Sequence, residues 1–375
     1  MTIPFNIPCS LGIEPDLVQK AIDNGHLSGN GPFCQRVHGI FEAEMGFRKV
    51  FMTHSCTGAL EMAALLCDFA PGDEVILPSF THVGTANAFV RAGAKPVFAD
   101  SLPDHPNLDP ASVEAQIGPG TRALVVVHYA GVACDLDRLT EIARHHNLLL
   151  IEDAAHAIGA RFRGKLLGSF GDLAGMSFHE TKNITCGQGG LLIVNRPELN
   201  VRAAQIWQNG TNRSAFARGE TDHYTWVAPG GCFTTSDLNA AYLYGQLQHR
   251  EEILDRRRRL WQQYREQLAP LADRKQAGMP LVFHECRHNG HIFYLRLPDR
   301  ATRDALLSHL RRRDIHAVFH YIPLHSSPFF RAQHGPTPLP NCRHHADTLL
   351  RLPLFHQLQP GQLRRIVASV MEFFG

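Results

Sequence analysis

Leu148-Leu149-Leu150-Ile151-Glu152-Asp153-Ala154-Ala155-His156 is the stretch that decides the fold. Its apolar first half predicts a strand covered on both faces, which is the texture of a parallel sheet between helical layers. It ends in two acids, and acids at the carboxyl end of a parallel strand point into the crevice where α/β folds bind ligands. Similar strand-like runs lie on either side, at 73–78, 95–100, 123–128, 175–179 and 190–195, with helical segments such as Ser55 to Phe69 and Leu136 to His146 between them. Strand and helix in alternation predict an α/β fold with a mostly parallel sheet.

The texture changes near residue 245. A helical, arginine-rich stretch from His249 to Leu268 is followed by strand-like runs His291 to Leu297 and His316 to Ile322, which flank a helical stretch from Thr302 to Arg313. We therefore expect a large domain over residues 1–248, including the N-terminal segment, and a smaller α+β domain over 249–375. Arg256 to Arg259 reads as a solvated helix face, given Glu251, Glu252 and Asp255 beside it.

Lys plus Arg number 37 against 35 Asp plus Glu, so no basic excess favours a nucleic-acid partner. The nine cysteines are scattered without a Cys-x-x-Cys pair, which points to a reducing compartment. No signal peptide or membrane-length apolar run is evident, so a cytoplasmic location without membrane contact is expected. His284, Cys286, His288 and His291, like Cys342, His344 and His345, lack a standard zinc spacing, and no metal is expected.

Ser177-Phe178-His179-Glu180-Thr181-Lys182-Asn183 leads into Gly187-Gln188-Gly189-Gly190. A lysine just past one strand and before a glycine-rich turn into the next projects toward the crevice that holds Asp153. Lysine and an acid in one crevice suit pyridoxal phosphate (PLP): Lys182 for the Schiff base and proton shuttling, Asp153 to keep the pyridine nitrogen protonated. Burial beside a cationic ring would lower the lysine pKa, as a shuttle requires. His54 to Met62 reads as a small-residue turn opening a helix, where an anion is favoured, with Thr57 and Ser177 able to add hydroxyls.

Together these segments resemble the sugar-nucleotide aminotransferases of the DegT/StrS type, which have the aspartate-aminotransferase fold (type I). The resemblance covers nearly the whole chain. It is carried by Pro71-Gly72-Asp73-Glu74-Val75, Pro78-Ser79-Phe80-Thr81, Val127-His128-Tyr129-Ala130-Gly131, Glu152-Asp153-Ala154-Ala155, the lysine segment above and His320-Tyr321-Ile322-Pro323-Leu324-His325. It implies Lys182 and Asp153 as catalytic residues. It implies Thr57, Gly58 and Ser177 on the cofactor phosphate, with His156 near the cofactor ring and His82 where an aromatic ring usually stacks. It implies His320, Tyr321 and His325 toward the sugar nucleotide. Two departures stand out: Gln188 where an acid is common, and Gly231 to Asp237 where the family supplies a phosphate contact from the neighbouring subunit. Thr234, or Asn212 and Arg213 on another loop, are candidate substitutes.

The implied chemistry is PLP-dependent transfer, through pyridoxamine phosphate (PMP), of an amino group from L-glutamate to the C4 keto group of a dTDP-4-keto-6-deoxyhexose. The implied assembly is a homodimer with shared active sites, and the implied setting is the supply of lipopolysaccharide O-antigen or enterobacterial common antigen. A C3 aminotransferase acting on a 3-keto sugar nucleotide is the alternative. A PLP- or PMP-dependent sugar dehydratase is disfavoured by Lys182, and a PLP-binding regulator is disfavoured because no segment is left for a DNA-binding domain.

Overall fold

The computed structural model describes residues 2–375. Seven strands form the central sheet: β1 (Lys49–Thr53), β2 (Glu74–Pro78), β3 (Lys95–Ala99), β4 (Thr121–Val127), β5 (Leu149–Asp153), β6 (Leu173–Ser177) and β7 (Gly190–Val194). Their spatial order is β1-β7-β6-β5-β4-β2-β3. β3, β2, β4, β5 and β6 run parallel, whereas β7 is antiparallel to both neighbours. The expected mostly parallel α/β sheet is therefore present, and six of its strands coincide with the apolar runs. β1, short and at the sheet edge, lay outside the expected set.

Both faces of the sheet are covered, and every residue of β6 and β7 is buried. The helix Cys56–Cys67 packs across β6 and β7. The approach is close: a Cβ on Gly190 would lie 2.3 Å from the Ser55 carbonyl carbon, so only glycine fits where β7 begins.

A second core gathers Leu260, Trp261 and Tyr264 of the helix Arg250–Asp273, Phe293 and Leu295, and Leu363, Ile366 and Val370 of the C-terminal helix Pro360–Phe374. A three-stranded antiparallel sheet, Tyr294–Arg296, Leu349–Arg351 and Val318–Phe319, lies within this part. Ile3 inserts into the same core and bridges Ile315, so the N-terminal segment reaches both units: Ile3 packs on the smaller one, while the Asn6 side chain donates to the Glu180 carbonyl of the larger. Arg257 corrects the expected solvated face. It is 2% exposed and donates to the carbonyls of Gly290, His291 and Leu354, which satisfy a buried guanidinium without an acid. Among the described residues no helix is long and apolar enough to cross a membrane.

Candidate active site

The carboxyl ends of β5 and β6 and the turn between β6 and β7 open into one cavity of about 480 Å³. Strand alternation sets the two acids of β5 to opposite tasks. Glu152 points into the core. It accepts from the backbone of Gly168, Phe170 and Gly171 at 2.7 Å each and pairs with His128 at 2.9 Å. Burial alone would raise its pKa, but these bonds hold it low. Asp153 lines the cavity, where Oδ2 accepts from Thr85 Oγ1 at 2.7 Å and Oδ1 from the Ala155 N–H at 3.1 Å.

Lys182 sits on the turn from Phe178 to Gly189, which is closed by the bonds Phe178 N–Gly189 O and Glu180 N–Gly187 O, both 2.9 Å. No hydrogen bond or ion pair from a described residue reaches its ammonium. The side chain keeps some solvent contact through the cavity but is packed deeply enough for desolvation to act. Desolvation pushes its pKa down to about 8. Cys56 and Asp153 pull the other way, and the Arg351 charge adds to the lowering.

Facing the turn is the start of the helix Cys56–Cys67. Ser55 caps it, its Oγ accepting from Gly58 N at 3.0 Å. Gly58 was expected to bind phosphate, but this cap uses its N–H and it does not line the cavity. A Cβ there would stand 2.8 Å from the exposed His54 ring. Cys56 and Thr57 line the cavity at the helix start, where first-turn N–H groups lack helical partners. Ser177, Gln188 and Gly189 complete this end.

The remaining predicted residues divide. His82 lines the cavity and caps the helix Val83–Arg91, its Nδ1 accepting from Gly84 N at 3.1 Å. Desolvation, then Lys182, lowers its pKa. His156 lines the cavity with its ring centroid 4.5 Å from that of His291. His320 and Tyr321 line it too, stacked with centroids 4.0 Å apart. His325 turns away. It is buried on the 3₁₀ turn Leu324–Ser326, with Nδ1 2.7 Å from Ser79 Oγ and its backbone N–H donating to the same oxygen at 3.0 Å. Asn212 and Arg213 lie outside this cavity within one chain. Asn212 holds its own loop, donating to the His223 carbonyl and accepting from Thr225 N, both at 2.8 Å.

Two residues without a distinctive sequence signal complete the wall, Arg351 and His291. Arg351 is 9% exposed and has no carboxylate partner among the described residues. It donates to the His320 ring and lies 4.7 Å from the Phe5 ring centroid, and its Nε has no acceptor.

This set fits pyridoxal phosphate. An unpaired lysine would hold the aldehyde carbon, a hydrogen-bonded carboxylate would face the ring nitrogen, and a helix start with the Thr57 and Ser177 hydroxyls would take the phosphate. When bound, the cofactor supplies an electron-accepting ring. The protein groups would hold it and move protons, and Lys182 is the residue placed to carry them.

Comparison with known proteins agrees with this geometry. Residues 13–371 match the DegT/DnrJ/EryC1/StrS aminotransferase family. The chain is 32% identical to S. venezuelae DesV, whose structure holds a ketimine intermediate, with TM-score 0.89 over 99% of this chain and 98% of that one. It is 28% identical to the aminotransferase TlmJ of Streptoalloteichus hindustanus, with TM-score 0.92 over 100% and 99%. The PMP form of Spr1654 from Streptococcus pneumoniae shares the fold at 23% identity, with TM-score 0.92 over 99% and 98%. The chain belongs to the DegT/DnrJ/EryC1/StrS aminotransferase family. It is a PLP-dependent sugar aminotransferase that cycles through PMP.

Proposed function

We propose that the protein transfers the amino group of L-glutamate to the C4 keto group of dTDP-4-keto-6-deoxy-D-glucose, giving dTDP-4-amino-4,6-dideoxy-D-galactose. The observation that carries the reading is the convergence of Lys182, Asp153 and the unpaired Arg351 on one cavity. Lys182 holds the cofactor and, once free, carries the proton. A pKa near 8 leaves an appreciable fraction neutral near pH 7. Asp153, fixed by Thr85, keeps the ring nitrogen charged. Thr57 and Ser177 take the phosphate. Arg351, with a charge no acid neutralises, takes a carboxylate of the amino donor.

The sugar assignment is supported by likeness to dTDP-4-amino-4,6-dideoxygalactose transaminase in Ser55-Cys56-Thr57, His179 to Asn183, Gly210 to Ser214 and Ala317 to His325. The working unit in this reading is a homodimer. Tyr224, Trp226 and Val227 are exposed on the segment that also carries Asn212 and Arg213, and Trp226 is 76% exposed. An apolar surface of this kind suits a partner subunit, whose active site those two residues would then complete.

The test is incubation with PLP, L-glutamate and dTDP-4-keto-6-deoxyglucose, with the product read by mass and by proton NMR. An amino sugar with a small H3–H4 coupling establishes the axial C4 product. A large coupling establishes the gluco epimer in its place, and no product from this sugar sinks the assignment.

A further inference from the structure

His291 was absent from the expected site, yet its ring is 4% exposed and lines the cavity beside His156. Its protonation state follows from a chain of obligatory partners. The Asn289 amide donates to the carbonyls of His156 and Ile158, at 2.8 and 3.0 Å, which fixes its orientation. Asn183, the residue after Lys182, donates from Nδ2 to the backbone carbonyl of Asn289 at 2.9 Å. A carbonyl only accepts, so the Asn183 oxygen must face the other way, toward His291 Nδ1 at 2.8 Å. His291 therefore carries its proton on Nδ1, and Nε2 is a bare acceptor.

No described residue donates to that nitrogen. This sets His291 apart from the purely structural His128, which uses both ring nitrogens, one with Glu152 at 2.9 Å and one accepting from Cys134 N at 3.2 Å. Burial holds the His291 imidazole neutral, and the charges next in weight, His156 and Lys182, act in the same direction. A fixed neutral acceptor in a cavity calls for a ligand hydrogen. The amino donor has none to give, because at neutral pH its only N–H group is the amine being transferred. A sugar has hydroxyls. Lys182 must reach the reacting carbon, and it lines the same cavity and directly precedes Asn183, which holds His291. A hydroxyl that meets His291 is therefore near the reacting carbonyl.

We propose that His291 is a specificity-determining residue, its Nε2 accepting a hydrogen bond from the sugar hydroxyl beside the keto carbon. This rests on the sugar reading above, which for a C4 ketone makes the group the C3 hydroxyl.

The test uses PMP-loaded full-length enzyme in single turnovers. The substrates are dTDP-4-keto-6-deoxyglucose and the same sugar nucleotide without its C3 hydroxyl. The wild type should prefer the hydroxylated sugar by about 100-fold or more, since a site built to bond a hydroxyl discriminates strongly against its loss. His291→Phe should shrink the ratio to within about 10-fold by slowing the hydroxylated sugar alone. A merely structural role slows both sugars alike and leaves the ratio, which would overturn the proposal. Equal wild-type rates on the two sugars would overturn it without any variant. If glutamate converts the enzyme but neither sugar reacts, the acceptor assignment fails first and this inference falls with it.

Discussion

Thr85 donates its hydroxyl hydrogen to Asp153 across 2.7 Å, and its oxygen lies 2.9 Å from that of Thr81. The carboxylate thus meets the cavity already oriented by the helix Val83–Arg91, whose first turn lines the same cavity. Asp153→Asn removes the charge and should lower kcat by about 10³-fold or more, on the scale of a lost catalytic electrostatic contact. Thr85→Val removes only the orienting bond, about 1–2 kcal/mol, and should cost roughly 10-fold. Steady-state kinetics of both variants check the order, and a Thr85→Val loss equal to that of Asp153→Asn would refute it.

Lys182 has its pKa pushed down to about 8. Only the neutral amine attacks an aldehyde, so cofactor loading of the apo protein should accelerate through a midpoint near pH 8, not above 10. Stopped-flow absorbance on adding PLP measures this. The linked stability effect has a definite sign. Below pH 8 the fold holds a charged amine against burial, and that cost fades as pH rises toward the unfolded value. Lys182→Met should therefore stabilise the apo protein at pH 7 by about 1–3 kcal/mol while abolishing turnover. Equal melting temperatures at pH 7 would count against the buried charge.

Arg351 poses the same trade-off with a ligand attached. Its guanidinium is buried without an acid, a costly arrangement. Arg351→Met should raise the apo melting temperature yet weaken the amino donor by about 100-fold, with Arg351→Lys intermediate. Titration of the spectral change with L-glutamate gives the affinities. An unchanged donor affinity in Arg351→Met would remove this residue from the donor site.

Acid should destabilise the fold well before its carboxylates protonate. His38 accepts from Met52 N at 2.9 Å and His105 from Asn107 N at 3.1 Å. Burial drives both pKa values down, to about 4 and about 3, with Lys49 next for His38 and His345 next for His105. The unfolded chain takes up these protons first, so stability falls as pH drops below about 6.5. Urea denaturation at pH 7 and pH 5 should show a loss of several kcal/mol, reduced in His38→Gln. A flat profile would contradict the burial of neutral imidazoles.

Asp153 and Lys182 were legible because one ends a strand and the other lies on the turn that follows the next, where local pattern dictates direction. Arg351 was not. In Leu350-Arg351-Leu352 nothing local separates it from a solvated arginine, and its burial comes from His320 and Phe5, both remote in sequence. The same limit misled at His325, whose facing is decided by Ser79. Gly58 was read correctly as part of a helix start, but the cap on Ser55 that uses its N–H depends on backbone angles that composition does not reveal.

The placement of Ile3 has a temporal consequence. Ile3 belongs to a core built from residues 260 to 370, Phe5 lines the cavity, and the Asn6 side chain donates to the Glu180 carbonyl at 3.2 Å. On the ribosome these residues emerge long before the surface that receives Ile3. The large sheet can assemble as it emerges, while Ile3 to Asn6 wait for residues 260 to 370. Closing so long a loop is slow, so the wall around Phe5 and Arg351 should be the last part of the cavity to mature.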